Sequence, residues 1–244
     1  MTMQNRIGID LGGTKISGSL LDPSGQIQKH IRVDAPRGDY KETLRAIVAL
    51  ARELKGDEPE QATIGIGIPG SISPKSGRIQ NANSTWLNGT PFKADVEEAL
   101  GQPVRIANDA NCFAITEAID GSGAGFQSVF GVILGTGCGG SFVFDKQIID
   151  GPRAIGGEWG HTPLPAPEPD ELPGPPCWCG RRGCMETWVS GPALEADHLR
   201  HCGVEFPAAQ IALNAAKGCA ECSAQHEEIH IAPGTRPCRC DQHS

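Results

Sequence analysis

The stretch RIGIDLGGTKISGSLLD, Arg6 to Asp22, decides the fold. Ile7, Ile9 and Leu11 alternate along one face of an extended segment, and Ile16 to Leu21 resumes the pattern after the glycines. Alternation on both sides of a glycine turn predicts a β-hairpin, not a strand running into a helix. That sets aside the Walker loop and the dinucleotide fingerprint, because each needs a helix directly after its glycines. A second unit of the same kind lies downstream. Ser128 to Leu134 reads as a strand, Gly135 to Gly140 as a glycine turn and Ser141 to Phe144 as the returning strand. Two strand–turn–strand units in one chain predict a duplicated α/β architecture with a cleft between two lobes.

The segments between them fit that plan. Asp39 to Gly56 reads as a helix: Asp39 can cap it, Glu42 stands at the capping-box spacing, and Leu44, Ile47, Val48, Ala51 and Leu54 share one stripe. Thr63 to Ile68 is a buried strand ended by Pro69-Gly70, and Lys93 to Leu100 is a short helix. Val104 to Ala107 is a further strand, and Asn108-Asp109 marks where it gives way to a helix through Ala118. The run Gly121 to Gly125 is expected to be a loop between lobes.

Composition bounds the function. The 244 residues include 32 Gly and 19 Pro with few aromatics, which suits an α/β enzyme rich in tight turns. A net charge of -8 offers nothing to nucleic acid or an anionic membrane. No stretch approaches the length of a membrane span, and the first residues read as neither a signal nor a transit peptide. A cytoplasmic location is therefore expected. Ten cysteines in such a chain point to metal or plain thiols, not to disulfides.

DLGGTK (Asp10 to Lys15) and LGTGCGG (Leu134 to Gly140) are the phosphate-loop candidates. Glycines let backbone N–H groups approach phosphate oxygens, and Thr14 or Thr136 can add a hydroxyl donor. Asp10, at the strand end, is placed to hold magnesium through water. Asn108-Asp109 can be read simply as a helix N-cap. Beside two phosphate loops, Asp109 is also a candidate base for a sugar hydroxyl attacking the γ-phosphate. GGEWGH (Gly156 to His161) and CWCGRRGCME (Cys177 to Glu186) supply the sharpest signal. The plain alternative is four unrelated buried residues. Three cysteines within eight residues favour His161, Cys177, Cys179 and Cys184 as a closed tetrahedral set for structural zinc. Glu158 and Glu186 flank that set and could accept hydrogen bonds from sugar hydroxyls, with the second nitrogen of His161 turned to the sugar.

DLGGTK, IPGSISPKSGRIQNANSTWLNG (Ile68 to Gly89), NDAN, LGTGCGG, GGEWGH and CxCGxxGCxE together resemble the ROK family of sugar kinases and related repressors. The resemblance runs from residue 6 to about 217, and the NANSTWLNG block is similar to its fructokinase, or manno(fructo)kinase, branch. It implies an actin-like, hexokinase-like (ribonuclease H-like) α/β fold of two lobes, here with the second lobe incomplete. Residues 1–120 would carry the first phosphate loop and the base, 121–218 the second loop and the zinc site, and 219–244 an aberrant, disordered tail. Asp10, Gly12, Gly13, Thr14 and Lys15 match the first phosphate loop, and Gly135, Thr136, Gly137 and Gly139 the second. Asp109 matches the catalytic base. Gly70, Asn83, Asn108, Asp109, Glu158, His161 and Glu186 match sugar-contacting positions, and His161 with Cys177, Cys179 and Cys184 the zinc ligands. The implied activity uses ATP, Mg²⁺ and Zn²⁺ to phosphorylate the 6-hydroxyl of fructose. Glucose, mannose and N-acetylglucosamine are the alternatives, and a homodimer is allowed.

The tail departs from this pattern. Residues 219 to 244 hold four cysteines and three histidines but only Ile229 and Ile231 as large apolar residues. Cys219, Cys222, Cys238 and Cys240 could form a second metal site. The abrupt loss of periodicity favours a shifted reading frame instead. A sugar-sensing repressor would need a helix-turn-helix ahead of DLGGTK, where only nine residues precede Asp10. A remnant that binds sugar but holds ATP poorly is the remaining alternative to an active kinase.

Overall fold

The computed structural model describes residues 4–56, 62–219 and 222. The opening segment forms the hairpin its alternation predicts. β1 (Arg6–Leu11) pairs antiparallel with β2 (Lys15–Leu21), Asp10 standing opposite Ser17 and Leu11 opposite Ile16. β3 (Ile27–Asp34), whose polar sequence carries little strand signal, adds antiparallel to β2 as an edge.

α1 (Tyr40–Lys55) starts at Asp39, whose carboxylate accepts the Glu42 N–H at 3.1 Å. Such a cap is worth ~1 kcal/mol. The Glu42 side chain pairs with Arg45. Thr43, Ile47, Val48, Leu50, Ala51 and Leu54 form the buried stripe, while Leu44 is only half-buried.

β4 (Thr63–Ile68) runs parallel to β1, and the short ribbon of β5 (Ser71–Ile72) and β6 (Ile79–Gln80) follows. α2 (Phe92–Leu100) begins one residue earlier than the pattern predicts, because Phe92 is fully buried in the core. β7 (Val104–Asn108) runs parallel to β4 and passes directly into α3 (Asp109–Ile119). The five strands lie in the order β3-β2-β1-β4-β7, and Ile7, Ile9, Ile64 and Ile66 pack with the apolar stripes of α1 and α2 in one core.

β8 (Ser128–Leu134), β9 (Cys138–Phe144) and β10 (Gln147–Ile148) form a second sheet in the order β10-β9-β8. The returning strand starts at Cys138, not Ser141. The turn closes early, Gly135 N–H donating to the Gly137 carbonyl at 2.9 Å, and Cys138 and Gly140 are already buried. Asp145 and Lys146, both left-handed, turn β9 into β10. The Lys146 ammonium then reaches the Ala118 and Ala124 carbonyls at 2.7 and 3.1 Å, closing the C-terminal end of α3. α4 (Glu186–Val189), α5 (Gly191–Cys202) and α6 (Ala208–Ala216) complete the described elements.

Compactness divides the chain into two units: Met1–Gly131 with Ser141–Gly156, and Val132–Gly140 with Gly157–Ser244. Gly121 to Gly125 belongs to the first. The shifted-frame reading concerns residues that, apart from Cys219 and Cys222, lie outside those described, as do Cys238 and Cys240 of the suggested second metal site. Among the described residues, no helix is long and apolar enough to cross a membrane.

Gly18 sets the distance between β2 and α1. A Cβ there would stand 2.6 Å from Leu54 Cδ1 and 3.1 Å from Leu50 Cδ2. Gly18→Ala should therefore cost about 1–3 kcal/mol through overpacking. Urea unfolding of the two proteins checks this, and an unchanged midpoint would count against the packing account.

Candidate functional site

In the first unit, the parallel register aligns three strand ends. Asp10 stands opposite Gly67, and Ile68 opposite Asn108. Adjacent strands lie roughly 4.8 Å apart, so the ends of β1 and β7 are about 10 Å from each other. The C-terminal edge of a parallel sheet is where α/β proteins place ligands.

Asn108 and Asp109 divide the work at the start of α3. Asn108 is the N-cap, its oxygen accepting the Asn111 N–H at 3.2 Å, while its amide donates to the Gly70 carbonyl at 3.0 Å. The capping reading is thus correct for Asn108 and leaves the Asp109 carboxylate for other use. Asp109 Oδ1 accepts the Ala110 N–H at 2.8 Å. Asp109 keeps access to solvent, yet the protein behind it removes enough water to raise its pKa above the ordinary carboxylate value. The nearby charge of Asp10 raises it further, and the Ala110 hydrogen bond opposes both. Burial also raises Asp10, against the attraction of Arg32. Two carboxylates of increased proton affinity therefore stand at strand ends on either side of β4.

Gly70 can only be glycine. Its φ is +78°, and a Cβ would lie 2.4 Å from the Gln80 carbonyl and 2.7 Å from Ala82 N. Asn83 is exposed between buried Ala82 and Ser84, so it projects outward from that contact. In the first glycine turn, Gly12 N–H donates to the Lys15 carbonyl at 3.0 Å, and a Cβ on Gly12 would press on that same oxygen. Gly13 has no such internal reason: its nearest neighbour would be Ser84 Oγ at 3.9 Å. Thr14 lies in the turn, and Lys15 opens β2 with its ammonium on Asp34.

In the second unit, the other glycine turn is tied to the cysteine segment. Gly191 N–H donates to the Gly135 carbonyl at 2.8 Å, and Trp159 Nε1 donates to the Gly139 carbonyl at 2.7 Å. Gly160 rests on Cys138, where a Cβ would meet the carbonyl at 2.2 Å. A Cβ on Gly137 would meet Glu186 Oε2 at 2.9 Å, whereas one on Gly135 would meet nothing within 4 Å. Thr136 is exposed at the tip between them, and Glu158 is exposed just ahead of His161.

His161, Cys177, Cys179 and Cys184 converge, with their donor atoms within 4.8 Å of one another. Cys179 Sγ lies 3.7 Å from Cys184 Sγ, and Cys177 Sγ lies 3.5 Å from His161 Nδ1. Zinc–sulfur bonds of about 2.3 Å at tetrahedral angles give sulfur–sulfur edges of about 3.8 Å. The donor set and its spacing fit such an ion. Glu186 is buried beside it, with Oε1 3.3 Å from Cys177 Sγ and 3.8 Å from His161 Nδ1. Burial pushes the Cys177 thiol up to about 12, whereas a hydrogen bond from Arg181 brings Cys179 down to about 7. Trp178 packs edge-on against the His161 ring at 4.8 Å. The roles of Trp159 and Trp178 were not read from sequence; their place inside the two motifs was the available signal.

The ROK family model matches residues 6–234, beyond the point near 217 where the motifs stop. An N-acetyl-D-glucosamine kinase of Yersinia pestis bv. Antiqua (strain Nepal516) is 38% identical over 215 residues, which cover 86% of this chain and 84% of that relative. A ROK hexokinase from Thermus thermophilus superposes with a TM-score of 0.74 at 29% identity, covering 91% of this chain and 72% of the other. A ROK family glucokinase from Streptomyces griseus, in complex with glucose and AMPPNP, gives 0.72 at 28%, covering 92% and 75%. The chain belongs to the ROK family and has its actin-like α/β ATPase fold. Within that family it is a sugar kinase.

If the Asp10 charge helps to raise the Asp109 pKa, Asp10→Asn should lower it toward, but not to, the ordinary value of about 3.9. Carboxyl ¹³C titration by NMR reads this directly. An unchanged or higher value would remove Asp10 from the account.

Proposed function

We propose that the chain transfers the γ-phosphoryl group of Mg-ATP to the 6-hydroxyl of N-acetyl-D-glucosamine. The observation that carries this substrate is the 38% identity, over most of both chains, to a relative named for that activity. Fructose, favoured by the NANSTWLNG block, is the second reading. Asp109 accepts the hydroxyl proton as the oxygen attacks; its raised proton affinity makes it a better base than an ordinary carboxylate. Asp10 would hold the magnesium, which would neutralise phosphate charge, and the N–H groups of Gly13 and Thr14 and of Thr136 to Gly139 donate to phosphate oxygens, those of Gly12 and Gly135 being engaged within their own turns. Lys15 belongs to the first loop by its motif, although its ammonium is engaged with Asp34. Asn83, Glu158, His161 and Glu186 are the side chains assigned to the sugar hydroxyls, and Gly70 and Asn108 support Asn83 and Asp109 in the first unit.

His161, Cys177, Cys179 and Cys184 would hold Zn²⁺. A closed set of three thiolates and an imidazole leaves no position for substrate, so the ion would supply a structural cross-link and not a Lewis acid. By orienting His161 beside Glu186, the cross-link would fix two of the side chains assigned to the sugar.

A coupled ADP assay over N-acetyl-D-glucosamine, glucose, mannose and fructose tests the substrate. The expected order has N-acetyl-D-glucosamine highest in kcat/KM, and a clear preference for fructose would overturn it. Asp109→Asn should lower kcat about 10²–10⁴-fold with the fold retained; near-normal turnover would exclude Asp109 as the base. Metal analysis of the purified protein should find about one zinc per chain, and chelation should lower Tm. A metal-free protein of unchanged Tm would refute the site.

A further inference from the structure

We propose that Asn88 is a positioning residue that sets sugar affinity by fixing the backbone beneath Asn83. This inference rests on the sugar-binding role given above to Asn83.

The side-chain amide of Asn88 meets a single residue twice. Its Oδ1 accepts the Ala82 N–H at 2.9 Å, and its Nδ2 donates to the Ala82 carbonyl at 2.9 Å. One planar amide thus satisfies both backbone groups of Ala82, as a neighbouring strand would. Ala82 needs that partner, because its side chain is fully buried and it follows Asn81, a non-glycine residue at φ 57°. A left-handed residue of this kind persists only where its surroundings hold it.

Three contacts make the segment a fixed platform. Ala82 lies against Gly70, close enough that a Cβ on Gly70 would stand 2.7 Å from Ala82 N. Gly70 is in turn joined to the Asp109 helix through Asn108 Nδ2. Ser84, on the other side of Asn83, faces Gly13 of the first glycine turn. Asn83 is therefore the exposed residue between two buried ones, spanning the Gly70 turn and the first glycine turn. Asn88 is itself held: its own N–H donates to the Thr85 carbonyl at 3.1 Å, and Trp86 two residues earlier donates to Thr43 of α1 at 3.2 Å. The strap thus begins on the core and ends under Asn83.

Isothermal calorimetry of the full chain with N-acetyl-D-glucosamine, and separately with a non-hydrolysable ATP analogue, tests the assignment. Losing two hydrogen bonds of modest net worth should weaken sugar binding about tenfold in Asn88→Ala, with nucleotide affinity unchanged. In an Asn83→Ala background the same substitution should add less than about twofold, since the side chain through which Asn88 acts is gone. Equal losses in both backgrounds, or none in the first, would overturn the proposal. Asn88→Asp keeps the acceptor and loses the donor, so it should fall between wild type and Asn88→Ala; should Asn88→Ala fail to fold, wild-type binding by Asn88→Asp at neutral pH refutes the proposal instead. A wild-type chain that binds none of the hexoses sinks the functional reading and this inference together. Sugar binding of wild-type affinity in Asn88→Ala sinks this inference alone.

Discussion

The parallel register of β1, β4 and β7 is the constraint on which the first unit depends. Because Asp10 aligns with Gly67, and Gly67 with Ala107, three strands far apart in sequence end at one edge. Each then delivers a different kind of group. β1 ends in a carboxylate and a glycine turn, β4 in a left-handed glycine, and β7 in a capped helix start. A one-residue slip of β7 would send Ile106 and Val104 to the opposite face, and the core would resist it. The hydrophobic pattern thus fixes the distance between two acids that it never touches.

The second unit is organised around convergent donors instead of strand ends. His161 comes from one loop and the three cysteines from another, and Glu186 sits at the first turn of the short helix that follows. Glu186 N–H donates to the Gly160 carbonyl at 2.9 Å, which ties the two segments at the backbone as well. Its carboxylate is held against the cluster on one side and limits Gly137 on the other. The sugar-binding candidates of this unit and its glycine turn are therefore parts of one packed group, and a change in the His161–cysteine cluster would be felt at both.

Much of this was legible in the sequence because the signals were strong and local. The alternation of Ile7, Ile9 and Leu11, the stripe of α1 with its Asp39 cap, and the clustered cysteines each act over a few residues. What escaped was set by tertiary partners. β3 is a polar edge strand whose partner, β2, supplies the order that its own sequence lacks. The early start of β9 depends on a backbone hydrogen bond inside the glycine turn, and glycines carry no pattern to announce it. The double hydrogen bond of Asn88 to Ala82 closes a loop between residues six apart, a contact that no apolar periodicity announces. Substrate choice was the least legible. The NANSTWLNG block suggests fructose, whereas the substrate proposed above rests on similarity over most of the chain, which no short motif carries.

The glycines of the two turns differ in what holds them to their identity. Gly12 is kept small by a backbone carbonyl of the protein itself, whereas a Cβ on Gly137 would push only on the end of the Glu186 side chain. Gly13 and Gly135 have room for a side chain and do not adopt the left-handed conformation. Folding alone gives no reason for glycine at those two positions. Under drift that preserved only the fold, they would be free to diversify while Gly12 stayed fixed. Their sequence variation across a lineage would then record a constraint other than folding, and so report on the phosphate-binding role proposed for the two turns.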